Sequence, residues 1–146
     1  DRDRAPGWRR RGLPHIGVGM KHTLILASTG VLMGCLTSLV GLPGEVELSA
    51  WISIYLLWVV YGVRVQIETP VRRMAVASTL AGLLAGSFQV LLMEQYKAHN
   101  PWYSDVFETS SAQELSTSML GQGIAMGLVC GVVVGLLVRW RLSRNS

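Results

Sequence analysis

Long uncharged stretches alternate with short charged ones along this chain. Apolar runs cover about residues 22–41, 48–65, 74–93 and 118–138, and their cores hold no charged residue. At 1.5 Å per residue, a helix of about twenty residues crosses the roughly 30 Å of a bilayer's hydrocarbon. The pattern therefore predicts four transmembrane helices. In the second, Val65 and Ile67 would extend the span past Arg64, whose long side chain can snorkel to the interface.

The links between the runs set their order. Gly41-Leu42-Pro43-Gly44 is a helix-stopping turn, and the link from Gln66 to Arg73 is equally short and contains Pro70. Short links force neighbouring helices to run antiparallel. The link over 94–117 is longer and polar, and Trp102, Tyr103 and Phe107 place part of it at the lipid–water boundary. The expected fold is all-α, an integral membrane four-helix bundle running up-down-up-down. A basic tail over 1–21 precedes the transmembrane domain over 22–138, and a second basic tail covers 139–146.

Charge then orients the bundle. Twelve of the 13 Lys and Arg residues fall in the N-terminal tail, the second link and the C-terminal tail. Lys97 alone falls on the other side, with Glu45, Glu47, Glu94, Asp105, Glu108 and Glu114. Under the positive-inside rule both termini are cytoplasmic, or face the matrix or stroma of an organelle. The expected location is thus a cell inner membrane or an organellar inner membrane. The apolar run after the basic start is about 20 residues, longer than a signal peptide's, so it reads as a retained first span. Trp8 beside Arg9, Arg10 and Arg11 suits a tail lying on anionic headgroups or one that is simply solvated.

Composition agrees with a lipid medium. Of the 146 residues, 50% are apolar and 15% charged, against about a quarter charged in soluble domains. The net charge of +4 belongs to segments flanking apolar runs, so membrane orientation explains it better than nucleic-acid binding. Cys35 and Cys130 lie inside spans without CxxC spacing, as small apolar residues would.

Lipid tails are as apolar as leucine, so spans associate through close packing, which small residues at every fourth position permit. The last span carries Gly123, Gly127, Gly131 and Gly135. The first carries Gly30, Gly34 and Ser38, and the third Ser78, Gly82 and Gly86. The partner of these rows is either a helix of the same chain or one of another copy. The second span is aromatic instead: Trp51, Tyr55 and Trp58 form one stripe. It suits a docking surface for a subunit, lipid or pigment, or a plain core or lipid-facing stripe.

Transporters that couple to protons or ions usually keep a carboxylate, histidine or lysine inside the membrane, and the cores of these spans have none. Gln89 and Gln122 are the candidates for a polar path, or simply for hydrogen bonds between helices. His22 is a boundary residue, and Glu94, His99, Asp105 and Glu108 lack the tight spacing of a cation site. With no nucleophile elbow, P-loop, dinucleotide fingerprint or metal-ligand cluster, neither catalytic residues, nor a metal, nor a cofactor is expected.

Three segments also carry a resemblance: YGVRVQIETPVRRMAVAS, MEQYKAHNPWYSDVFE, and a glycine-rich last span ending in VRWRLSR. In layout the chain resembles a family of uncharacterised four-span bacterial inner-membrane proteins, best known from the Bacteroidetes group. The resemblance implies topology and no activity. The expectation is a non-catalytic membrane subunit, in a homo-oligomer or larger membrane complex. A small homo-oligomeric channel or transporter is the alternative, and an immunity-like or stress-related protein acting through its external loop is a third.

Overall fold

A computed structural model describes residues 16–144; the tail bearing Trp8, Arg9, Arg10 and Arg11 lies outside the described residues. The described residues are helical throughout, joined by short turns. The helices are α1 (Ile16–Ala27), α2 (Thr29–Leu39), α3 (Gly44–Arg64), α4 (Pro70–Leu91), α5 (Met93–His99), α6 (Ser104–Thr109) and α7 (Ala112–Ser143). A 3-10 turn, Pro101–Tyr103, joins α5 to α6. Four segments are long and apolar enough to cross a membrane: Gly19–Leu39 (most of α1 with α2), α3, α4 and α7.

Local chemistry explains where the helices stop and start. Between α1 and α2 the Ser28 and Thr29 hydroxyls donate to the Ile25 and Leu26 carbonyls, both at 2.7 Å, which loosens one turn of a nearly continuous helix. Past α2, Gly41 takes φ +73°, the left-handed conformation that glycine adopts without a Cβ penalty. Pro70 opens α4, where its missing N–H costs no bond. A capping box opens α7: Ser111 accepts from the Glu114 N–H while Glu114 accepts from the Ser111 N–H. This cap sets the helix start six residues ahead of the apolar run, and the polar link is itself largely helical through α5 and α6. The second helix does not continue to Ile67. It ends at Arg64, and Ile67 folds back into the core, 4% exposed.

The centre of the packing is α4, whose small residues admit a helix on each side. A Cβ built on Gly135 would lie 2.5 Å from Val71 Cα, and one on Gly131 would lie 2.5 Å from the Met74 carbonyl oxygen. Gly127 meets Ser78, Gly123 meets Gly82, and Gly86 meets Met119. Numbers rise on α4 as they fall on α7, so the two run in opposite directions. On the other flank Gly30 meets Ala81 and Gly34 meets Ala85, so α2 and α4 run the same way.

The fourth segment, α3, reaches this core through large side chains. Trp58 is buried with Leu26, Ile67, Met74, Ala77, Ala81, Val134 and Val138. The seams between helices are lined by small residues: Gly30, Gly34, Ser78, Gly82, Gly86, Gly127 and Gly131 are buried, while Leu24, Leu32, Leu56, Leu57, Val129 and Leu136 are exposed. Large apolar side chains thus coat the outside of the four segments. These registers also gather Lys21, Arg64, Arg72, Arg73, Arg139, Arg141 and Arg144 at one end. The other end carries Glu45, Glu47, Glu94, Asp105, Glu108 and Glu114.

Candidate functional site

Every glycine of the sequence-derived rows faces another helix of the same chain. Gly123, Gly127, Gly131 and Gly135 lie on α4, Gly82 and Gly86 on α7, and Gly30 and Gly34 on α4 from the other side. The choice left open by spacing, between a partner in the chain and one in another copy, therefore falls to the chain itself. The contacts are backbone to backbone, so a larger side chain cannot be accommodated by a rotamer change. The exception among the α7 glycines is Gly121, outside the row, which has nothing within 4 Å of an added Cβ.

The aromatic stripe of α3 also points inward and is not a free docking surface. Trp51 stacks on Tyr55 at 5.7 Å between centroids, and Tyr55 meets Trp58 edge-on at 5.5 Å. The Tyr55 hydroxyl hydrogen-bonds Ser78 Oγ at 2.9 Å, tying α3 to the centre of α4, and Cys130 of α7 lies beside it. Trp58 is 2% exposed, and its Nε1 is buried without a hydrogen-bond partner. The bulk of these rings holds α3 away from α4 while filling the space between them. The Tyr55–Ser78 bond fastens α3 to α4.

A second polar group closes the acidic end. Gln89 Nε2 donates to Thr37 Oγ1 at 3.1 Å, joining α4 to α2. Asn100 is 1% exposed, and its Nδ2 donates to the Thr37 carbonyl at 2.9 Å and the Tyr96 carbonyl at 2.7 Å. Gly41 sits directly under the His99 carbonyl, where no Cβ would fit. Tyr96 packs edge-on against Phe107 at 5.9 Å. Burial, followed by the nearby Glu47 and Tyr103, pushes the Tyr96 phenol above its ordinary range, so it stays neutral. These contacts dock α5 onto the end of α2 and α6 onto α5.

The two proposed path residues are not brought together. Gln89 is half-buried and bonded to α2, whereas Gln122 is exposed on the outward face of α7. At the basic end His22 Nδ1 hydrogen-bonds the Tyr61 hydroxyl at 2.5 Å, so the boundary histidine links α1 to α3. His99 is bonded to the Gln95 carbonyl at 2.8 Å, and among the described residues no three His, Cys, Asp or Glu side chains gather as a metal site would require. Cys35 and Cys130 are free thiols, each half-buried.

Sequence reasoning missed Thr37, Tyr61, Tyr96 and Asn100. Only Asn100, a turn residue before Pro101, carried any signal, and that signal reads equally as an ordinary solvated turn. Comparison with family models, curated proteins and solved structures gives no match to this chain.

Proposed function

We propose that this chain is a non-catalytic, multi-pass membrane subunit with a structural or accessory role in a membrane complex. It crosses an inner membrane four times in up-down-up-down order, with both termini on the cytoplasmic side or its organellar equivalent. The observation that carries the proposal is the distribution of side-chain size: glycine, alanine and serine line the seams of α4 with α2 and α7, and many leucines, valines and isoleucines are exposed on the outside. That arrangement leaves much large apolar surface exposed, which is unfavourable in water and suits helices held together by close packing in lipid. The gathering of seven basic residues at one end supports the orientation. The resemblance to the uncharacterised four-span family is part of the same proposal.

Because the glycine rows are used inside the chain, a partner subunit would meet the outward apolar faces of α3 and α7. The channel alternative draws on one feature, the exposed Gln122, which could line a path between copies. Purification in mild detergent, with the stoichiometry of whatever accompanies the chain, tests the subunit reading. Flux of ions and small solutes into liposomes tests the channel. A defined complex without flux is expected; flux from the purified chain alone would overturn the proposal. A bulky substitution in the glycine row, such as Gly127→Leu, would disrupt the fold under either reading, because its side chain would enter the Ser78 backbone.

A further inference from the structure

At the basic end, one outward face of α7 combines an apolar hollow with unneutralised charge. Val133, Leu136, Leu137 and Trp140 line this shallow, open hollow, which follows the helix for roughly 10 Å. Arg144 lies over the Trp140 ring, its guanidinium carbon 4.1 Å from the ring centroid. A stacked guanidinium uses its face, and its N–H donors remain in plane for an oxygen ligand. The ion pair at this end is Arg73 with Glu68, and Arg141 and Arg144 have no carboxylate partner among the described residues.

From this we infer that the face binds one anionic phospholipid of the leaflet at the basic end. An acyl chain lies along Val133, Leu136 and Leu137, Trp140 sits at the ester level, and Arg141 with Arg144 holds the phosphate. Charge complementarity selects the occupant. A zwitterionic lipid would fill the hollow equally well but would lack the net charge that the arginines recognise. Aromatic rings favour the headgroup boundary, and arginine matches phosphate geometry through paired donors.

The inference rests on the membrane placement proposed above. The test inserts the full chain into nanodiscs of equimolar phosphatidylglycerol and phosphatidylcholine, then counts retained lipids by native mass spectrometry. Retention of one phosphatidylglycerol per chain is expected. R141Q with R144Q should lower that retention about thirtyfold, since each basic residue at an anionic surface contributes about fivefold. Trp140→Ala should lower it with no change of charge, while R64Q with R72Q, which removes equal charge from the same end, should leave it intact. Equal losses from both arginine pairs, or equal retention of the two lipids, would overturn the site. A chain that stays dispersed without nanodiscs or detergent would overturn the membrane placement instead.

Discussion

The backbones of Gly82 in α4 and Gly123 in α7 lie in direct contact, each where the other's Cβ would be. Neither residue can grow without moving a helix. The same holds on the other flank of α4, where Gly30 lies on the Ala81 backbone. The centre of the fold is therefore set by how closely three helices approach, and the fourth is fitted around them by its aromatic rings.

Gly82→Ala and Gly123→Ala should each destabilise the protein by about 1–3 kcal/mol, the usual cost of forcing extra volume into a packed interior. Gly121→Ala, which meets open space within the helix, should leave stability unchanged or raise it by up to about 1 kcal/mol. Unfolding midpoints in detergent compare the three variants. Equal tolerance at positions 82 and 121 would contradict the α4–α7 seam.

The ring of Trp58 and its N–H should separate cleanly. Trp58→Phe removes a buried donor that has no partner, so it should cost little beyond the lost ring volume. Trp58→Ala should cost about 3–5 kcal/mol through the cavity it leaves. A double-mutant cycle of Tyr55→Phe with Ser78→Ala should give a coupling of about 0.6 kcal/mol, at most about 1.7. Zero coupling would place Tyr55 away from Ser78.

Asn100→Ala removes the donation that holds the end of α5 to the Thr37 carbonyl of α2, together with the local one to the Tyr96 carbonyl. The expected cost is about 1–3 kcal/mol. Hydrogen exchange over 93–111 should accelerate well before exchange in α4 and α7. Gln89→Leu should be milder, because Thr37 Oγ1 keeps its bonds to the Met33 and Gly34 carbonyls.

The link between α3 and α4 holds Gln66 and Thr69 in the left-handed region, each at φ 48°. Such a conformation costs a residue with a Cβ roughly 1–2 kcal/mol. Thr69→Gly should therefore raise stability by about 1 kcal/mol after allowing for the flexibility of glycine in the unfolded chain. Thr69→Val should give no gain, since valine keeps the Cβ branch. A loss of stability in Thr69→Gly would show that the hydroxyl matters more than the strain.

Much of the architecture was readable as pattern. The four apolar runs fell on helices that can each cross a membrane, because a run of about twenty uncharged residues states its medium and length at once. The fourth-position glycines identified faces of close contact. The aromatic spacing identified a stripe in the same way. Boundaries were less legible: the Ser111–Glu114 cap extends α7 well beyond its apolar run, and Ile67 turns into the core where hydropathy alone would continue the helix.

Periodicity places residues on a face of a helix but cannot say which other helix that face meets. The sequence alone thus determined the number of apolar segments, their small-residue rows and the segregation of basic from acidic links. Tertiary structure decided that the rows close on α4 within the chain, that Trp51, Tyr55 and Trp58 turn inward, and that Gln89 bonds Thr37 while Gln122 faces out. It also decided that Asn100 reaches Thr37, 63 residues away along the chain. The physical reason is range: hydropathy and helical period act within a few turns, whereas backbone contacts and buried hydrogen bonds join positions that only packing brings together.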